Sequence, residues 1–479
     1  MKYLLSILLC ISTSSFAQTY ERYTGDYLEK IRSDEAKLTA FFQAMPKGGD
    51  LHIHFSGAIY PEEFFDVARA NGFYVDTITF DIFPSKPDAR PNAIEIKGYR
   101  GRIDIRGKLI SLWSVKDFVA GPEASDDHFF ATFGKFGPAV SGYESEYLKA
   151  LKTRSIKENI QYLETMFVRP NFDHSNTALM NELTSYDTTF ARLQSQRNTI
   201  ELDRALTLLT DKLIDSYGFK STAMMHLDGM KDIYKRASFG TADTLIEVRF
   251  LNYVTRVVRP SDVFGQLLLS FLSVDNDLIL GVNIVAPEDN EVSMRDYWLH
   301  CQMFRFLKKR FPNVKTTMHA GELTLGLVKP EDLTWHINEA VLAAGANRIG
   351  HGVDMAYEKD CYALLDSMKK RNVAIEINLV SNEFILGVKN ERHPFSLYFS
   401  HNVPIVLSTD DAGVLRTNHT EQFVLATSRY KEVHYSDIKR FVYNSIDHSF
   451  LPREKKQVLR KRLDDRFYRF EKKIVSEAK

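Results

Sequence analysis

Cysteine is nearly absent: the 479-residue chain has three, Cys10, Cys301 and Cys361. So few thiols exclude a disulfide-stapled scaffold and a thiolate-rich zinc site, so any metal must be held by histidine and carboxylate. Cys301 and Cys361 sit in helix-like stretches whose spacing demands no disulfide, and they read as two free thiols. An excess of either charge is also missing, with 62 Lys plus Arg against 62 Asp plus Glu. A nucleic-acid partner favours a basic surface and is not expected, and the balance suits a small uncharged substrate. Long hydrophobic runs are lacking as well. The apolar run Tyr3–Ile11 is too short to span a bilayer. Lys2 precedes it and Ser15-Phe16-Ala17 ends it before Gln18, so residues 1–17 read as a signal peptide. Export to the periplasm or the extracellular space follows, with no membrane contact after cleavage. Cys10 follows Leu8-Leu9, not the small residues that precede a lipidated cysteine. No internal repeat or low-complexity tract is present.

What is there begins with a charged amphipathic stretch over residues 20–45, read as one helix, so that residues 18–45 form an N-terminal helical extension to a domain over 46–479. Residues 73–112 read differently, as short strands joined by turns, and look like an insertion. In the second half, the apolar runs Leu245–Tyr253, Leu278–Val285, Lys315–His319, Arg348–His351, Val373–Leu379 and Val403–Thr409 alternate with helical patterns such as MRDYWLHCQMFRFLKKRF. That alternation implies βα units and a parallel sheet. The chemically distinctive residues fall at the C-terminal ends of these runs, which is where a TIM barrel carries its active site. A doubly wound sheet would alternate likewise, but no glycine-rich phosphate loop supports it.

Four motifs stand out. Leu51-His52-Ile53-His54 reads as a strand, on which residues two apart face the same way, so both imidazoles can reach one ion. Met318-His319-Ala320-Gly321-Glu322 adds a third imidazole and a carboxylate. In Arg348-Ile349-Gly350-His351-Gly352, glycines flank a histidine and permit close backbone approach. Ser408-Thr409-Asp410-Asp411 puts two carboxylates at the end of a buried strand, which is costly unless metal or hydrogen bonds compensate. Each alone also fits a hydrogen-bonded core histidine, a turn or a helix cap. Together, three histidines and Asp410 make a donor set suited to zinc.

With these motifs in hand, the chain resembles the adenosine deaminase family. The matching segments are MPKGGDLHIHFSGAI, HFFATFGKFGPAV, MHAGE, RIGHG, EINLVSN, LSTDDAGV and NSIDHSFLPREKK, over roughly residues 45–465. The signal peptide and the MPKGG start resemble the secreted, growth-factor-related branch. TDDAGV followed by RTNHTEQF is similar to the N6-methyl-AMP deaminase-like branch. The resemblance implies a (β/α)8 TIM barrel that deaminates adenosine or 2′-deoxyadenosine hydrolytically. It implies one Zn2+ per chain on His52, His54, His319 and Asp410, lowering the pKa of a water that attacks C6 of the purine. Glu322 is then the proton donor to N1, His351 orients the water and accepts its proton, and Asp411 hydrogen-bonds N7. His54 also borders the substrate. Phe129, Phe130 and Phe133 fall where the family carries an apolar lid, although their helical spacing also fits a plain core stripe.

Two positions depart from the family pattern. Ser56 stands where an Asp contacts the ribose, and Ala286 stands where a Gly backbone meets N3. Both bear on the sugar and phosphate side of the substrate. Three functions therefore remain in view: an adenosine deaminase, a deaminase of a modified adenine nucleoside or nucleotide such as N6-methyl-AMP, and an inactive secreted binding or growth-factor-like protein. Assembly as a homodimer stays open.

Overall fold

Each apolar run of the alternating region pairs edge to edge with its neighbour. The computed structural model describes residues 18–238 and 240–477. Within them, eight strands form one sheet in chain order: β1 (Lys47–His54), β2 (Ile160–Met166), β3 (Glu247–Thr255), β4 (Ile279–Val285), β5 (Lys315–Ala320), β6 (Arg348–His351), β7 (Ala374–Ile377) and β8 (Ile405–Leu407). All neighbouring pairs are parallel. A parallel bridge between Ile53 and Asp410 brings the last strand back to the first. It is carried by Asp410 N–H donating to the His52 carbonyl at 2.9 Å and His54 N–H donating to the Asp410 carbonyl at 3.3 Å. The sheet is thus a nearly closed (β/α)8 barrel, and the doubly wound alternative is ruled out. Strands of a closed barrel are covered on both faces, and β2 and β4 are buried at every position.

The barrel floor is ionic. Arg348 of β6 is fully buried, 2.6 Å from Glu164 of β2 and paired with Glu376 of β7. Its guanidinium lies 3.7 Å from the centroid of Phe450 and donates to the His448 carbonyl at 3.0 Å. The segment after the helix Tyr435–Asp447 therefore plugs the end of the barrel opposite His351.

Three sequence expectations need correction. Residues 20–45 form two helices, one over 18–31 and one over Glu35–Ala44. Asp34 separates them because its carboxylate accepts from Lys37 N–H and caps the second helix. In the 73–112 insertion, Tyr74–Asp76, Ile82–Phe83 and Ala93–Glu95 do form a small antiparallel sheet. Residues Ile105–Leu112 are instead a helix, capped by Asp104 accepting from Gly107 N–H. Finally, β2 was not among the anticipated strands, since Gln161 and Glu164 interrupt its apolar run. Cys301 and Cys361 are free thiols, as expected. The proposed signal peptide, residues 1–17, lies outside the described residues. No helix among the described residues is long and apolar enough to cross a membrane.

Candidate active site

The C-terminal ends of the strands converge on a pocket of about 360 Å³. All twelve residues singled out from the sequence meet in it or directly beneath it. His54, Ser56, Phe129, Phe130, Phe133, Ala286, His319, Glu322, His351, Asp410 and Asp411 line it, and His52 lies just below.

The donor atoms of His52, His54, His319 and Asp410 lie within 4.8 Å of one another. His319 Nε2 is 3.1 Å from both His52 Nε2 and His54 Nε2. Asp410 Oδ1 is 3.3 Å from His54 Nε2 and 3.6 Å from His52 Nε2. Ligands at ~2.0–2.1 Å in a tetrahedron stand about 3.3 Å apart, so these spacings fit one zinc ion. Asp410 Oδ1 is buried and has no hydrogen-bond partner, as an atom reserved for a cation would be.

Outer partners fix three of these four residues. His52 Nδ1 lies 2.7 Å from Glu376 Oε2, and that carboxylate also accepts from Thr317 Oγ1. His319 Nδ1 is 3.2 Å from Asn283 Oδ1, and Asp410 Oδ2 accepts from Ser381 Oγ at 2.7 Å. Such partners set ring orientation and tautomer. Gly350 has a direct steric reason, since a Cβ there would lie 2.5 Å from His52 Cε1. Burial pulls His54 down to about 4 and His351 to about 3, and it takes His319 well below the usual imidazole range. Burial opposes charge on His52 too, but Glu376 outweighs it and the shift is upward. Neutral imidazoles are the form that binds metal.

Above the ligands, burial lifts the Glu322 carboxyl well above its usual range, and the negative charges of Asp410 and Glu288 add to this. Asp411 is raised likewise, by burial and then by Asp410. Glu322 Oε1 is 3.4 Å from His351 Nδ1. Asn382 Nδ2 lies 2.9 Å from the same nitrogen, and an amide NH2 can only donate. His351 Nε2 is buried without a hydrogen-bond partner. Asn382 Oδ1 in turn lies 3.1 Å from His393 Nε2.

Three residues at the site, Ala286, His351 and Asp410, have φ of 91°, 68° and 61°. Non-glycine residues in this region carry strain that clusters at functional sites. Phe129 is buried, while Phe130 and Phe133 are half-buried and face the pocket from the helix Ser125–Val140. Asn283, Glu288, Glu376, Ser381 and Asn382 were not anticipated. Glu376, Ser381 and Asn382 lie in the matching segment EINLVSN, and Asn283 is a polar residue inside the apolar run GVNIV.

The chain is similar to proteins of known family. The adenosine deaminase family model matches residues 218–466. The adenosine deaminase of Clostridium perfringens is 32% identical over 147 residues, or 30% of this chain. The match spans 41% of that relative's length. The Aedes albopictus adenosine deaminase is 29% identical over 190 residues, 39% of this chain and 33% of that protein. Among solved structures, an Arabidopsis N6-mAMP deaminase superposes with a TM-score of 0.55 at 18% identity, covering 89% of this chain and 99% of the other. A Burkholderia ambifaria amidohydrolase with bound Zn gives 0.52 at 17% identity, covering 91% and 94%. At such identities the structures establish the fold.

Proposed function

Because the chain belongs to the adenosine deaminase family, we propose that it converts adenosine or 2′-deoxyadenosine, with water, to inosine or 2′-deoxyinosine and ammonia, and that it does so with one zinc ion. The observation that carries this reading is the convergence of His52, His54, His319 and Asp410 directly beneath Glu322, His351 and Asp411 in one largely apolar pocket. An inactive binding protein has no chemical need for all seven.

His52, His54, His319 and Asp410 would hold the zinc, which would supply the Lewis acidity that makes water a nucleophile near neutral pH. The chain's own groups do the rest. Glu322, kept protonated by burial, donates to N1 and makes C6 electrophilic. His351 orients the water and accepts its proton, which passes on to the C6 amine as ammonia leaves. Asp411, also raised, holds its proton for N7. Phe129, Phe130 and Phe133 exclude bulk water, which strengthens each of these interactions.

The pocket wall supports a nucleoside over a nucleotide. No Lys or Arg is among the residues that line it, so a phosphate would enter without a counter-charge. The second reading, deamination of a nucleotide such as N6-methyl-AMP, draws on the TDDAGV segment and on the uncharged Ser56.

The test is ultraviolet absorbance of adenosine with zinc-loaded protein, beside Glu322→Gln. Turnover that falls by about 10²–10⁴-fold in the variant at equal zinc content is expected for loss of the general acid. Unchanged adenosine, with turnover of N6-methyl-AMP, would transfer the assignment to the second reading.

A further inference from the structure

Glu288 is a fully buried carboxylate on the loop that follows β4. Its two oxygens reach across to the loop that follows β5. Oε1 accepts from Gly321 N–H at 3.1 Å, and Oε2 accepts from Glu322 N–H at 2.9 Å. His336 Nδ1 donates to Oε1 at 2.6 Å, and Arg256 Nη1 stands 3.7 Å from Oε2. Burial alone would raise this carboxyl, but Arg256, His336 and the Glu322 N–H together hold it below its usual range. A buried anion with four donors around it is a fixed anchor, not a solvated surface group.

The anchor joins two parts of the pocket. Two residues before Glu288, Ala286 lines the cavity at a strained φ of 91°. On the other side, the gripped backbone carries Glu322. Behind that backbone, Gly321 is packed against Asp354 and Ile337, which leaves the loop no room to retreat.

We propose that Glu288 is a positioning residue, which fixes the Gly321–Glu322 backbone, and with it the Glu322 carboxyl, against the pocket wall at Ala286. It touches neither substrate nor metal. Its effect is to hold the proton donor at one distance from a purine seated on that wall. The inference rests on the deaminase reading, since it assigns Glu322 a proton to deliver.

The experiment compares wild type, Glu288→Gln and His336→Phe, each at equal zinc content. It measures kcat on adenosine and the affinity for 1-deazaadenosine, which has carbon in place of N1 and nothing for Glu322 to protonate. Glu288→Gln cannot accept from both N–H groups, so kcat falls by about 10²-fold, the scale set by a misplacement near 1 Å. Affinity for the 1-deaza compound stays within about threefold, because only the proton-transfer contact is lost. His336→Phe keeps a ring stacked on Tyr297, now 3.8 Å away, and removes one donor to Glu288. It lowers kcat by about three- to tenfold with the same constancy of binding. An unchanged kcat, or affinity for the analogue falling in step with kcat, overturns the positioning role. Should Glu288→Gln fail to fold, His336→Phe decides by the same two numbers. Wild-type turnover of adenosine is measured first: its absence overturns the deaminase reading, whereas its presence with unaffected variants overturns Glu288 alone.

Discussion

Ala286 sits at φ 91° on the pocket wall, a conformation that glycine adopts freely and alanine does not. Strain of this kind costs about 1–3 kcal/mol, and glycine gives back about 0.5–1 kcal/mol through its more disordered unfolded chain. Ala286→Gly is therefore expected to stabilise the protein by about 1 kcal/mol, and to lower KM by letting the purine approach the backbone. Urea denaturation and steady-state kinetics read the two effects. A destabilised variant would show that the methyl group is packed rather than tolerated. At this scale the sequence was most legible where the chemistry is unusual. His-x-His, the glycine-flanked His351 and paired aspartates have few ordinary uses in a strand. The supporting residues were harder to read. Asn283, Glu376 and Ser381 act only through partners distant in the chain, such as Glu376 on His52 of β1.

Among elements, the helix Ser125–Val140 shows how one periodic stripe can serve two ends. Phe129, Phe130, Phe133 and Phe136 form a ladder with ring centroids 5.0–5.6 Å apart. Phe136 is buried against Phe64, whereas Phe130 and Phe133 face the pocket. Phe136→Ala should cost about 3–5 kcal/mol of stability, as large core deletions do. Phe133→Ala should leave stability nearly intact and raise KM about tenfold, equivalent to ~1.4 kcal/mol of lost apolar contact. Chemical denaturation and kinetics on the two variants separate the roles. Equal losses of stability would make the whole stripe core, as spacing alone allows. The elements that escaped the sequence reading did so for similar local reasons. One capping side chain, Asp34, splits an amphipathic run of consistent polarity into two helices. Asp104 starts a helix in a stretch read as short strands joined by turns. In β2, Glu164 and Gln161 look like solvent-facing residues until Arg348 and the Leu459 carbonyl are brought against them.

At the scale of the molecule, the metal cluster and the barrel seam coincide. The bridge between Ile53 and Asp410 is the contact that returns the eighth strand to the first. His52 and His54 flank it on one side, and Asp410 is its other member. His319 comes from β5, across the barrel. An ion bound by all four therefore ties the seam to the opposite wall and exists only when the sheet has closed. A ligand that binds the folded state alone stabilises it by RT ln(1 + [L]/Kd), about 4 kcal/mol at a thousandfold excess over Kd. Removing metal with a chelator should abolish deamination and lower the melting temperature together, and zinc should restore both. Scanning fluorimetry with parallel activity assays checks this, and zinc content by atomic spectroscopy is expected at one per chain. If activity is lost while the melting temperature stays constant, the seam closes without the metal, and the fully buried Arg348–Glu164–Glu376 network of the barrel floor holds the closure instead. Loss of both at once makes the catalytic ion a structural part of the fold.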